Sequence, residues 1–227
     1  MFAPVEESYQ KQKRFITDAG HELKTLLTII DANVEVLEME HGENEWTRSI
    51  RNQTRRLSGL TADLVTLSRL DEGGLEALRV DFSLSDAAEE VLENIMAPAL
   101  ASGRKLSWEI TPNLSMCGDE KQIRQLLSLL MDNAVKYSDE HGTIEVCVKK
   151  RGRGRQIVVT NTVSEMPSGN LNALFERFTR ADASRSFQTA GYGIGLSIAR
   201  AIVLAHKGKI KAKSGDGKSF TITTFFP

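Results

Sequence analysis

The chain has 227 residues, too long for one small domain and comfortable for two. Hydrophobic residues make up 41% and charged residues 26%, and 29 Lys and Arg stand against 30 Asp and Glu, so the basic excess of a nonspecific nucleic-acid binder is absent. Cys117 and Cys147 form no C-x-x-C pair and no zinc-spaced cluster with histidine, which suits a reducing compartment, and no apolar run approaches the length of a membrane span.

The first third predicts two long helices. Between Glu6 and Glu40 there is no proline, and Gly20 is the one glycine. Ile16, Leu23, Ile30 and Leu37 recur at heptad spacing, with Leu27 and Val34 beside them. His41-Gly42-Glu43-Asn44 breaks the pattern. A second helix follows, with Ile50, Leu57 and Leu64 at heptad spacing and Leu60 and Leu67 alongside. Two such stripes around a short turn describe a helical hairpin. One hairpin buries its stripes poorly, whereas two pair into a four-helix bundle, so a homodimer is expected. Asp71-Glu72-Gly73-Gly74 reads as the linker, dividing the chain into domains 1–73 and 74–227.

The remainder mixes helices and strands. Phe82-Ser83-Leu84-Ser85 leads into an amphipathic helix, with Ser85 read as its N-cap and Gly103 after its end. Leu106–Ile110 predicts a strand and residues 119–136 a helix. Thr143–Lys149 and Gln156–Thr162 alternate as strands around Arg151-Gly152-Arg153-Gly154. A helix is expected from about Gly193 to His206, then strands at Lys209–Lys213 and Phe220–Phe225. Such non-strict alternation predicts an α/β sandwich, a mixed sheet with helices on one face.

The chemistry begins at His21, in Phe15-Ile16-Thr17-Asp18-Ala19-Gly20-His21-Glu22-Leu23-Lys24-Thr25. His21 falls off the apolar stripe and faces solvent, where an imidazole nitrogen is available as a nucleophile. Glu22 adjoins it, and Thr25 lies one turn along on the same face. An isolated histidine there would be an ordinary surface residue. A second cluster is Asp132-Asn133-Ala134-Val135-Lys136-Tyr137-Ser138, whose Asn133, Lys136 and Tyr137 fall within about one helical turn. An amide oxygen suits Mg²⁺ and a lysine suits phosphate. Gly191-Tyr192-Gly193-Ile194-Gly195-Leu196 precedes a helix, where backbone amides receive phosphate. No strand runs directly into these glycines, so a dinucleotide fold is excluded. His41 and His141 precede glycines in turns. His206 sits near a helix C-terminus, where its positive form suits the dipole.

Taken in order, these strings resemble the histidine kinases of two-component systems, from about Phe15 to Pro227. His21-Glu22-Leu23-Lys24-Thr25 is similar to the phospho-acceptor box, with Leu26 where the family has proline; an intact helix is expected there. Asp132 to Ser138 is similar to the asparagine box, with Leu129 where a second asparagine is frequent. Phe175-Glu176-Arg177-Phe178 resembles the phenylalanine box and sets the register upstream. Asn161-Thr162-Val163-Ser164-Glu165 then occupies the place of Asp-x-Gly-x-Gly, so Asn161 stands for the aspartate that accepts the adenine amino group, as its side-chain oxygen also can. Gly191 to Leu196 resembles the second glycine box, and Gly215-Asp216-Gly217-Lys218-Ser219-Phe220 the final glycine turn.

The resemblance implies a dimerisation and phosphotransfer hairpin followed by a Bergerat-type ATP-binding domain. ATP and Mg²⁺ would sit on Asn133, Lys136, Tyr137, Asn161, Arg177 and the loop Gly191, Tyr192, Gly193, Ile194, Gly195 and Leu196, with Asn133 on the metal. His21 would be phosphorylated, Glu22 would act as base, and Thr25 would orient water in dephosphorylating the partner. That partner is the receiver domain of a response regulator. The chain would be the cytoplasmic portion of a sensor anchored by an N-terminal membrane region, with the linker near Gly73-Gly74 letting the ATP domain move. The competing expectation is a kinase-impaired dimeric docking or phosphatase module, to which Leu26, Leu129 and the altered Asn161 segment point.

Overall fold

A computed structural model describes residues 3–71, 79–165, 169–177, 179 and 193–227. The chain divides into two compact units, Met1–Gly74 and Leu75–Pro227.

The first unit is a helical hairpin of α1 (Ala3–His41) and α2 (Glu45–Asp71). Helix α1 runs unbroken across Leu26, because a leucine retains the backbone donor that proline lacks. The turn is shaped by Asn44, whose Oδ1 accepts from the N–H groups of Trp46 and Thr47, while Asn44 N–H donates to Thr47 Oγ1. This reciprocal cap satisfies donors that begin α2. Arg51 on α2 joins Glu38 on α1 at 2.8 Å and approaches Asp31 at 3.8 Å.

The packing inside the hairpin differs from the apolar heptads. Gly20, Leu27 and Val34 are the buried heptad of α1. Opposite them lie Thr47, Thr54, Thr61 and Ser68, a buried small polar heptad that the apolar pattern does not reveal. Thr54 and Thr61 hydroxyls donate to the carbonyls four residues back, at 2.9 Å each, so their burial leaves no orphan donor. The Thr61 methyl faces Gly20. Leu23, Ile30, Leu37, Ile50 and Leu57, expected in the core, are 42–49% exposed. A hairpin has two apolar stripes and one neighbour, so a second surface stays open for another copy.

Gly20 allows the helices to approach closely beside His21. A Cβ on Gly20 would run into Val65 Cγ2. Valine is stiff at χ1 in a helix and yields poorly. Gly20→Ala is therefore expected to lower the stability of the hairpin by about 1–3 kcal/mol despite alanine's better helix propensity. Thermal unfolding checks this, with Gly20→Ala/Val65→Ala restoring the loss. An unchanged melting temperature in the single variant would count against the close approach.

The second unit begins with β1 (Val80–Ser83) and α3 (Leu84–Ala101), then β2 (Lys105–Ile110), β3 (Ser115–Gly118) and α4 (Glu120–Tyr137). Strands β4 (Thr143–Arg151) and β5 (Gly154–Thr162) follow, then a 3₁₀ turn at Leu171–Phe175, α5 (Gly195–Ala205), β6 (Lys209–Lys213) and β7 (Ser219–Phe226). One sheet has the order β2-β4-β5-β7-β6, with β2 parallel to β4 and the other pairs antiparallel. A separate ribbon pairs β1 with β3. Helices α3, α4 and α5 cover one face of the larger sheet. Alternation puts Ile144, Val146, Val148, Ile157, Val159 and Ile222 beneath them, all at most 3% exposed.

Two local readings are corrected. The N-cap of α3 is Ser83, whose hydroxyl accepts from Asp86 N–H. Ser85 lies inside the helix, where its hydroxyl donates to Thr111 O and accepts from Leu114 N–H. The ribbon β1–β3 was not anticipated, because four-residue strands carry little periodicity. His206, at the end of α5 as expected, is buried. Its Nε2 accepts from Asp119 N–H at 3.0 Å, so the ring proton lies on Nδ1, 2.8 Å from Ile202 O. The imidazole thus ties the end of α5 to Asp119, the N-cap of α4.

Candidate functional site

His21 lies on α1 with an exposed side chain. Glu22 and Thr25 are exposed as well. Thr25 Oγ–H donates to His21 O at 3.1 Å, which fixes Thr25 one turn beyond the imidazole. Leu26 is 56% exposed. Exposure suits a nucleophile that must be reached by separate donors and acceptors of phosphoryl groups.

The second unit assembles a different group of residues. Along α4, one ridge carries Leu129, Asn133, Lys136 and Tyr137 at i, i+4, i+7 and i+8 spacing. The buried face of the same helix, from Ile123 through Leu126, Leu127, Leu130 and Met131 to Ala134, holds this ridge in place. Asn133 and Lys136 are half-buried, and the Lys136 ammonium lies 5.8 Å from the Tyr137 ring centroid. The carboxyl of the neighbouring Asp132 is pushed above the usual range by burial of its surroundings, with the Lys136 charge pulling the other way.

The start of α5 meets this ridge. A Cβ on Gly195 would lie 3.6 Å from Leu129 Cδ2, so the last glycine of the loop abuts the leucine that stands in the second asparagine position. Gly193 has φ +71, a left-handed conformation natural to glycine, and Ile194 is buried at the N-cap. Ile194 O accepts from Ile198 N–H and Ser197 Oγ–H, so the helix start is well ordered. Leu196 is half-buried. Gly191 and Tyr192 lie outside the described residues.

Asn161 is the penultimate residue of β5, on the same face as Ile157 and Val159, turned toward the helices, and it is 2% exposed. A buried amide at a strand end, between Ile144 and Phe220 in the sheet register, is an uncommon polar group in an apolar layer. Its Nδ2 donates to Thr162 O at 3.4 Å, a bond near the limit of length. Thr162 in turn is joined to the residue after the α4 C-cap, by the Asp139 N–H to Thr162 O bond of 3.1 Å. Phe175 is buried, and Glu176 pairs with Arg200 of α5 at 2.6 Å. Arg177 is exposed at the end of the 3₁₀ turn. Phe178 lies outside the described residues.

The end of β5 is thus joined to the end of α4, the start of α5 to Leu129 of α4, and the 3₁₀ turn to Arg200 of α5. The Asp216 turn is a separate feature. Its carboxylate accepts from Lys218 N–H, Ser219 N–H and Ser219 Oγ–H, which hold it below the usual range and close the β6–β7 hairpin. No group of three His, Cys, Asp or Glu suited to a metal occurs among the described residues. Asn133 is the amide oxygen on the α4 ridge. A hard cation there would draw its other oxygens from phosphate and water, a donor set that Mg²⁺ accepts. What sequence reasoning missed is Asp139 with Ser164, described below. A bond spanning 25 residues leaves no periodic trace.

The family described as "His Kinase A (phospho-acceptor) domain" matches residues 11–73, and "Histidine kinase-, DNA gyrase B-, and HSP90-like ATPase" matches residues 118–227. Sensor protein DltS of Streptococcus agalactiae is 35% identical over 209 residues, covering 92% of this chain and 53% of its own. Sensor histidine kinase RppB of Synechocystis is 31% identical over 233 residues, covering 99% and 51%. The chain therefore spans about half the length of the curated relatives it matches. The crystal structure of full-length ShkA in complex with AMPPNP aligns with a TM-score of 0.79 at 22% identity, over 94% of this chain and 45% of that one. At that identity the likeness speaks for the fold. No helix among the described residues is long and apolar enough to cross a membrane.

Proposed function

This chain belongs to the sensor histidine kinases, and from that premise we propose that it transfers the γ-phosphoryl group of ATP to His21 and onward to an aspartate of a response-regulator receiver domain. The observations that support the proposal are the abutment of Gly195 on Leu129, one turn from Asn133 on α4, and the Asp139 N–H to Thr162 O bond that ties the end of β5, beside Asn161, to the end of α4.

In this reading, residues 74–227 form the ATP-binding domain and residues 1–73 the dimerisation and phosphotransfer domain. Asn161 accepts from the adenine amino group. Lys136, Tyr137 and Arg177 line the nucleotide, with Lys136 meeting phosphate as a point charge. The amides of Gly193 to Leu196, at the positive end of α5, receive phosphate oxygens, and the resemblance adds Gly191 and Tyr192 to that loop. Asn133 offers its oxygen to Mg²⁺, which when bound neutralises charge on the phosphates.

An imidazole nitrogen of His21 attacks the γ-phosphorus as the bond to the ADP oxygen breaks. Glu22 takes the proton from the ring's other nitrogen. Positioning dominates such a transfer, since the protein performs little covalent work. The phosphoryl group then passes to the regulator's carboxylate. Thr25, fixed beside His21, orients the water that later hydrolyses that acyl phosphate. The open apolar stripe of Leu23, Ile30, Leu37, Ile50 and Leu57 pairs two hairpins into a four-helix bundle. The chain lies on the cytoplasmic side of a membrane-anchored sensor.

Incubation with γ-labelled ATP and Mg²⁺ tests this. The expected product is a protein label that survives base and is lost in acid, the signature of a phosphoramidate. Absence of label, together with no heat of ATP binding by calorimetry, would refute the kinase and leave a docking or phosphatase module.

A further inference from the structure

Asp139 stands where three elements meet, two residues beyond the end of α4. Its N–H donates to Thr162 O, and its own carbonyl accepts from Gly142 N–H at 3.0 Å. One carboxylate oxygen accepts twice from Ser164, from N–H at 2.8 Å and from Oγ–H at 2.5 Å. Thr162 Oγ1 accepts from Thr143 N–H, and a Cβ on Gly142 would collide with that hydroxyl oxygen. The chain from 162 to 164 is therefore held at each residue, Thr162 and Ser164 by Asp139 and the start of β4, and Val163 by its N–H donating to Lys218 O before β7. The Thr162 carbonyl at the centre of this knot is also the acceptor for Asn161 Nδ2.

An amide differs from a carboxylate in a way that matters to a purine. A carboxylate only accepts. An amide has one accepting and one donating end, and a half-turn of its terminal torsion exchanges them. With Oδ1 toward the base it accepts from an exocyclic amino group. With Nδ2 toward the base it donates to a ring carbonyl instead. A buried amide free to turn would serve both kinds of purine. One whose Nδ2 is engaged elsewhere serves only the first.

We infer that Asp139 is a positioning residue for nucleotide selectivity. By clamping Ser164 and Thr162 it keeps the Thr162 carbonyl against Asn161 Nδ2, holds Oδ1 toward the base, and makes the site prefer a 6-aminopurine triphosphate over a 6-oxopurine triphosphate. This rests on the reading of Asn161 as the base contact. A clamp with a purely structural role would weaken both nucleotides alike.

The test measures KM for ATP and for ITP, which differ at the purine 6-position, with Mg²⁺ present. Wild type is expected to favour ATP by about tenfold or more. In Asp139→Ala that ratio should shrink at least about threefold, a change carried by KM, because freeing the amide costs roughly one hydrogen bond of discrimination. Asp139→Asn, which keeps an acceptor for Ser164, should recover most of it. Ser164→Ala, which removes half of the clamp, should shift the ratio in the same direction and serves if Asp139→Ala folds poorly. In an Asn161→Asp background the contact has no donating end, so adding Asp139→Ala should leave the ratio unchanged. Equal shifts in both backgrounds, or a ratio unmoved by Asp139→Ala and Ser164→Ala, would overturn the inference while ATP binding stands. A wild type that binds ATP without preference over ITP overturns it too. A wild type that binds neither nucleotide removes the functional reading on which it rests.

Discussion

His21→Gln is expected to abolish the acid-labile, base-stable label completely. Glutamine has similar length and no ring nitrogen to hold a phosphoryl group. The side chain is exposed on an unbroken helix, so the hairpin should lose less than about 0.5 kcal/mol. ATP binding in the second unit should be unchanged by calorimetry, because His21 belongs to the other compact unit. Circular dichroism of the variant must match wild type. If label persists in His21→Gln, another residue is the acceptor and the proposed role of His21 fails.

Asn133→Ala carries the second large effect. Asn133 is half-buried on the ridge of α4, one turn from Leu129, which packs on Gly195. In a site with a second asparagine at 129, the two amides would share the ion. Here Leu129 offers no oxygen, and the ridge has no substitute at 136 or 137 of the same reach. Removing Asn133 should therefore lower kcat/KM for ATP roughly a hundredfold or more, about 2.7 kcal/mol of transition-state stabilisation. Alanine is the better helix former, so thermal stability should hold or rise. Raising Mg²⁺ concentration should recover part of the loss. A decrease below about threefold would show that the ion is held without Asn133.

Much of this was legible in the chain itself. The two long helices follow from sustained heptads with no proline between Glu6 and Glu40. The strands β4 and β5 follow from alternation of apolar and polar residues, because one face of each is covered by helices. The turn Arg151-Gly152-Arg153-Gly154 is the one expected, with β4 and β5 pairing as far as its first and last residues. The boxes at His21, Asn133, Asn161 and Gly193 were visible because such chemistry demands particular residue types at short spacing.

Other features were decided only when distant segments met. Helical periodicity marks which residues share a stripe but not which stripe finds a neighbour. Hence the stripe of Leu23 and Ile30, expected to be shared between two hairpins, stands open in one, while Thr47, Thr54, Thr61 and Ser68 are covered. The same limit misassigned the cap of α3 to Ser85, whose hydroxyl is occupied by Leu114 N–H, while Ser83 caps the helix. Burial of His206 depends on Asp119, 87 residues away, supplying a hydrogen-bond donor. Residue types and local spacing by themselves determined the helices, the strands of the larger sheet and the chemistry available at His21 and Asn133. Tertiary structure alone decided that Gly195 abuts Leu129 and that Asp139 holds Ser164, because hydrogen bonding and packing are short-ranged in space and indifferent to separation along the chain.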